Sequence, residues 1–289
     1  MISYNKKFFL TPLGRKIVYH SYTKKSSMTT VLMLHGFSEH SFIWLKTVDE
    51  ISQKLNCDFI VPDLSGHGLS DWREDGDYNI SNYAHDIEMI IDELKLQSLI
   101  LVGHSMGGRI AQEVSTRKLS YIKGVVLVDF CPDIDNTQSV NCILENFKTA
   151  TNRSWTIDEY KKFLSSTRPL IPEGDMDWFA RNLLKNVNES CRLRVDPNIA
   201  NYNVGKKIVG INNKCYKHLL GVPISIIRGQ YSSFIGESQA KNFLSNFNLA
   251  GYFSVPNSGH GLIIENNDFF NVTLYDSLVF VLKSNDMKM

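Results

Sequence analysis

The amino-acid sequence predicts an α/β protein: a mostly parallel, doubly wound sheet with a helical insertion. Three observations lead there. Short runs rich in Val, Ile and Leu recur without polar alternation, as strands covered on both faces require. Stretches of helical periodicity alternate with those runs. The rhythm stops near Pro132 and resumes at Pro223.

Taken in order, Lys16 to Tyr22 reads as a strand after a turn at Pro12-Leu13-Gly14. The buried runs are Val31–Leu34, Phe59–Pro62, Leu99–Val102, Val125–Val128, Ile224–Ile227 and Tyr252–Val255. Ser81–Leu94 reads as a helix with Ser81 as its N-cap and Tyr83, Ile87, Ile90, Ile91 and Leu94 on one face. Met106–Arg117 is a second helix. Residues 132–220 place Trp155, Tyr160, Phe163, Trp178 and Phe179 among charged helical stretches. They are expected to form a helical cap above the carboxyl ends of the strands, where open α/β sheets bind ligands, with 1–131 and 221–289 as the core.

Composition narrows the class further. With 289 residues, 43% hydrophobic and 21% charged, the chain is long enough for one large core. A formal charge of +1 marks neither a nucleic-acid nor a membrane partner. Five scattered cysteines (Cys57, Cys131, Cys142, Cys191 and Cys215) without a C-x-x-C pair point away from a disulfide framework or zinc site. No metal and no cofactor is expected. The start of the chain shows no long apolar run of the secretory kind, and no stretch reaches the roughly 18 apolar residues of a bilayer span. The expected location is cytoplasmic.

The segment Leu101-Val102-Gly103-His104-Ser105-Met106-Gly107-Gly108 carries the chemistry. It satisfies G-x-S-x-G between a buried strand and a helix. A serine hydroxyl is a poor nucleophile, so it must protrude from a sharp turn where a base can reach its proton. Gly103 and Gly107 leave room for that turn, and the helix N-terminus offers free N–H groups to a developing oxyanion. Ser105 is the candidate nucleophile. His104, beside it, is expected to serve packing.

With these residues in view the chain resembles the α/β-hydrolase superfamily over essentially its whole length. Leu34-His35-Gly36-Phe37 is similar to the family's H-G-x segment, and Pro62-Asp63-Leu64-Ser65-Gly66-His67-Gly68-Leu69-Ser70 to its D-x-x-G-x-G-x-S loop. Gly103–Gly107 is similar to its elbow, and Asn257-Ser258-Gly259-His260-Gly261-Leu262 to its C-terminal histidine loop. The resemblance implies the α/β-hydrolase fold, an oxyanion hole from the backbone N–H groups of Phe37 and Met106, and His260 as the base that takes the Ser105 proton. His67 is expected to order its own loop.

The acid departs from the family pattern. Ile227-Arg228-Gly229-Gln230-Tyr231-Ser232-Ser233-Phe234-Ile235-Gly236 holds serines where the family places an aspartate, and no carboxylate follows until Glu237. Asp129, ending the strand after the elbow helix, is the favoured substitute, because some branches of the superfamily draw their acid from that strand. Glu237 and a Ser–His dyad without an acid remain open.

The resemblance favours hydrolysis of a carboxylic ester or thioester through an acyl-serine. The partner is then a small-molecule substrate, including an acyl group borne on a carrier protein. The segment Cys131–Leu220 has 13 Lys/Arg against 10 Asp/Glu, a bias toward anionic substrates or a solvated face. Two other classes stand beside it: a cofactor-independent dioxygenase of a heteroaromatic alcohol such as a hydroxyquinolone, and a non-catalytic binding protein on the same scaffold.

Overall fold

The computed structural model describes residues 3–132, 137–201, 216 and 218–286. An eight-stranded sheet runs through the molecule in the order β1-β2-β4-β3-β5-β6-β9-β10. Its strands are β1 (Ser3–Leu10), β2 (Lys16–Thr23), β3 (Thr30–Leu34), β4 (Asp58–Pro62), β5 (Leu99–His104), β6 (Ile122–Val128), β9 (Ile224–Gly229) and β10 (Ala250–Val255). The β1–β2 and β2–β4 pairs are antiparallel and all others parallel, so the predicted α/β class and mostly parallel sheet are found.

Every residue of β3 and of β5 is buried. Successive side chains of a strand point to opposite faces, so helices must cover both sides. One group is α1 (Phe42–Lys54), α8 (Leu262–Glu265) and α9 (Asn267–Asp286), with α9 against β6, β9 and β10. The other is α2 (Ile80–Glu93) and α3 (Met106–Arg117), packed on each other with α3 against β5. α7 (Glu237–Leu244) packs on β9 and β10. Each fully buried Leu or Ile in β5 contributes roughly 1.5–3 kcal/mol relative to exposure, so this central strand anchors the core.

Two local expectations change. The N-cap of α2 is Asn79, not Ser81: the Asn79 side chain accepts the Asn82 N–H at 2.7 Å and is itself held by Asp77. Ser81 instead accepts from Arg117 at the surface, 2.6 Å away. β1 adds an antiparallel edge strand that no apolar run announced, because most of its side chains are exposed.

Between β6 and β9 lie α4 (Thr137–Thr151), α5 (Ile157–Thr167), α6 (Glu173–Leu183) and a hairpin of β7 (Leu184–Val187) and β8 (Ser190–Leu193). α5 opens with a capping box of Thr156 and Glu159. The hairpin departs from the all-helical expectation; its turn holds Asn188 at φ 54°, a conformation asparagine tolerates. Residues 133–136, 202–215 and 217 of the expected insertion, Cys215 among them, lie outside the described residues. The hairpin's exit is stapled to the Asp63–Ser70 loop: Gly68 N–H donates to Arg194 O, Asp196 N–H to Gly66 O, and the Tyr78 hydroxyl to Asp196.

Candidate active site

The parallel register brings five loops to one rim. Leu34 pairs with Gly103, His104 with Val128, Val128 with Ile227, and Gly229 with Val255. The residues after each strand therefore emerge side by side, at the carboxyl ends where crossover connections leave a crevice.

Ser105 caps α3 with φ 51° and ψ −115°, a sparsely populated conformation for a non-glycine residue. The surrounding glycines explain how such a turn fits. A Cβ at position 103 would stand 2.3 Å from Gly107 O, and one at 107 would stand 2.3 Å from Leu34 O. The first turn of α3 is thus pressed against the end of β3. That contact brings the start of α3 against Leu34 and His35, and among the described residues neither the Met106 nor the Phe37 N–H has an acceptor.

Asp129, fully buried, follows β6 at φ 46°, and its own N–H donates to Ile227 O at 2.7 Å. Desolvating a lone carboxylate costs several kcal/mol. Three donors offset that: Gly229 N–H to Oδ1 at 3.0 Å, and both the Ser232 hydroxyl (2.6 Å) and His260 Nδ1–H (2.7 Å) to Oδ2. Because Nδ1 donates to a carboxylate, Nε2 is left to accept, and Ser105 Oγ lies 2.9 Å from it.

The loop carrying His260 is tightly tied. Ser258 Oγ donates to Val255 O at 2.9 Å, Tyr231 N–H to Ser258 O at 2.7 Å, and Gly259 N–H to Glu265 at 2.6 Å. Phe234 stacks on the imidazole with centroids 3.8 Å apart. Burial pushes His260 below the ordinary imidazole value of 6.5, against the hydrogen bond and charge of Asp129, which pull upward.

The structure thus brings Ser105, His260 and Asp129 into one hydrogen-bonded chain. Glu237, the alternative acid, is not part of it. It begins α7 with its side chain 56% exposed, and pairs with Lys241 at 2.6 Å. His67 lies where its expected loop-ordering role would put it: buried, with Nδ1–H donating to Ser65 O. His104 departs from the packing role, since both ring nitrogens are hydrogen-bonded, to Glu39 and to His260 O. Sequence reasoning missed Glu39, Arg168, Ser232 and Phe234, all of which reach the site from loops without a periodic signal.

A cavity of about 350 Å³ opens onto Ser105 and His260. Phe147, Tyr160, Phe163, Leu164 and Leu193, from the segment between β6 and β9, form its apolar wall. Glu39, Arg168 and Glu265 supply a polar end. Among the described residues no group of three His, Cys, Asp or Glu side chains is arranged to hold a metal. Cys57, Cys142 and Cys191 are free thiols, and no described helix is long and apolar enough to cross a membrane.

A serine on a strained strand–helix turn, within reach of a histidine held by a buried carboxylate, defines the α/β-hydrolase class of site. The chain belongs to that family: residues 29–267 match the family model described as the alpha/beta hydrolase fold. It is 30% identical over 149 residues to 2-(acetamidomethylene)succinate hydrolase of Mesorhizobium japonicum, covering 52% of each chain. It is 31% identical over 119 residues to a monoacylglycerol lipase of Xenopus laevis, covering 40% of this chain and 34% of that one. The matches thus span about half or less of these curated relatives. Among solved structures, an α/β hydrolase from Novosphingobium aromaticivorans superposes with a TM-score of 0.82 at 17% identity, covering 97% of this chain and 99% of that one. An E-2-(acetamidomethylene)succinate hydrolase superposes at 0.81 with 19% identity, covering 96% and 99%. At such identities the likeness speaks for the fold.

Proposed function

We propose that this protein is a serine hydrolase cleaving a carboxylic ester or thioester through an acyl-Ser105 intermediate. The observation that carries the reading is the chain Ser105–His260–Asp129, with contacts of 2.9 and 2.7 Å. As Ser105 Oγ attacks the substrate carbonyl carbon, His260 Nε2 takes the hydroxyl proton. Asp129 holds the Nδ1–H tautomer and balances the imidazolium charge. The carbonyl oxygen becomes an oxyanion facing the N–H groups of Phe37 and Met106, and a missing donor of this kind costs roughly 100- to 1,000-fold in rate. When the tetrahedral species collapses, His260 gives its proton to the departing alcohol or thiol. Water then repeats the sequence on the acyl-enzyme, with His260 again as base, and frees Ser105.

Residues 132–220 act in this reading as a cap that excludes water, and the Phe147–Leu164 wall receives an apolar acyl arm. The substrate is a small molecule or an acyl group delivered on a carrier; no metal or cofactor takes part. The relatives named as hydrolase and lipase support this chemistry. A fluorophosphonate probe tests it: Ser105 is expected to be labelled, with turnover on a panel of short- to medium-chain esters and thioesters. Absence of both labelling and turnover overturns it.

A second reading rests on the origin of the acid. Asp129 on the β6 rim suits the cofactor-independent dioxygenases, in which the histidine and its carboxylate deprotonate a heteroaromatic alcohol. Oxygen uptake with hydroxyquinolones in the absence of ester cleavage would favour it. A binding protein without catalysis is disfavoured by the complete Ser–His–Asp chain.

A further inference from the structure

Beside the Ser105–His260–Asp129 chain lies a second buried acid–histidine pair that the proposed reaction does not use. His104 ends β5. Its Nδ1 lies 3.0 Å from Glu39 Oε2, and its Nε2 lies 2.9 Å from the main-chain oxygen of His260. Both partners are acceptors, a carboxylate and a carbonyl. An imidazole that donates from both nitrogens is an imidazolium, and Glu39 is its counter-ion. The two side chains are 3% and 5% exposed. Burial alone would lower the His104 value, but the charge and hydrogen bond of Glu39 outweigh it and hold the ring above 6.5. The same partnership overcomes the effect of burial on Glu39 and holds its carboxyl well below the ordinary range.

Glu39 reaches further. Its Oε2 also accepts the Gly36 N–H at 3.1 Å, and its Oε1 lies 3.3 Å from an Arg168 guanidinium nitrogen, just past α5. The backbone accommodates the pair: a Cβ at Gly36 would stand 2.8 Å from His104 Nδ1 and 2.9 Å from Glu39 Oε2. A side chain at 36 would therefore displace the pair, which explains glycine there without any special dihedral.

We infer that Glu39 and His104 are positioning residues that lock the His260 main chain and the Gly36–Phe37 main chain into one register. Through them the base and one oxyanion donor, both assigned on the function proposed above, are set by a single ion pair. Charge-assisted hydrogen bonds in a dry interior are short and directional, so they suit this task. The coupling matters because a displacement of about 1 Å at the reacting centre can cost about 100-fold in rate.

Amides whose nitrogen matches one ring nitrogen or the other separate positioning from charge. A glutamine amide nitrogen at 104 overlays the ring Nε2 and keeps the donor to His260 O. An asparagine nitrogen overlays Nδ1 and loses that donor. In the double variants E39Q/H104Q and E39Q/H104N both charges are gone. Positioning predicts kcat within about threefold of wild type for the glutamine form and about 10- to 100-fold lower for the asparagine form, with KM nearly constant in both. The far-downfield proton NMR resonance between His260 Nδ1 and Asp129 is expected to persist in the first and to broaden or vanish in the second. Equal kcat and equal resonances in the two variants would overturn the inference. Should the double variants not fold, nitrogen NMR of the wild-type histidines decides: His104 mostly doubly protonated at pH 6.5 supports the pair, and a mostly neutral ring at that pH overturns it. If the wild-type protein takes no fluorophosphonate and turns over no ester, the function fails on its own, while the NMR readouts still judge the pair.

Discussion

The Ser232 hydroxyl donates a 2.6 Å hydrogen bond to Asp129 Oδ2, the same oxygen that accepts from His260 Nδ1 at 2.7 Å. Ser232 stands in the segment where the family's aspartate is expected, so here the usual place of the acid holds a donor that supports an acid from the neighbouring strand. Its oxygen also accepts the N–H groups of Phe234 and Ile235, at 3.1 and 3.3 Å, which orders the turn beneath the His260 ring.

That geometry makes the acid portable. Asp129→Asn is expected to lower kcat by about 10⁴-fold, since an amide at Oδ2 holds the wrong histidine tautomer. Adding Ser232→Asp to that variant places a carboxylate within one hydrogen bond of the vacated role and is expected to recover at least tenfold of the loss. Steady-state ester hydrolysis by the three proteins checks it, and a double variant no better than Asp129→Asn refutes the shared location.

Glu237→Gln serves as the contrast. Its carboxylate is exposed and paired with Lys241, and solvent screening leaves such a surface pair little weight in stability. Turnover should stay unchanged and the melting temperature nearly so. A large loss of kcat would return Glu237 to candidacy as the acid.

Ser105→Gly tests the strained elbow. Glycine adopts φ 51° without the Cβ conflict, so removing strain of order 1–3 kcal/mol outweighs its entropy cost of roughly 0.5–1 kcal/mol. The melting temperature should rise by about 2–4 °C, with activity lost. A lower melting temperature would mean that the Ser105 hydroxyl contributes more to folding than its backbone costs.

The pH profile follows from His260. In the proposed mechanism the base must be neutral, so kcat/KM is expected to rise with pH as the ring loses its proton. Burial outweighs the upward pull of Asp129, which puts the midpoint of that rise below 6.5. In Asp129→Asn the upward pull disappears, and the residual activity should show its midpoint lower still. A rise centred above 7 would contradict this balance.

Much of the architecture is legible in the linear chain. Uninterrupted apolar runs such as Leu99–Val102 mark strands buried on both faces, because runs this short, rich in β-branched residues, with helical patterns on either side suit strands covered by two helical layers. The elbow was legible because Gly103 and Gly107 stand where backbones approach within contact distance. β1, with its largely exposed side chains, and the β7–β8 hairpin carried no such signal.

The linear chain thus names Ser105 and His260, since a motif is a local request for one backbone shape, and it favours Asp129 as the acid while leaving Glu237 and a Ser–His dyad open. The choice between those carboxylates belongs to the folded state. Positions 129, 232 and 260 meet only because parallel strands end at one rim, and burial with three donors then makes Asp129 the carboxylate within reach of His260. The Glu39–His104 pair is of the same kind: residues 65 positions apart acquire a relationship only where β3 and β5 lie side by side, out of water, and close enough to share a proton.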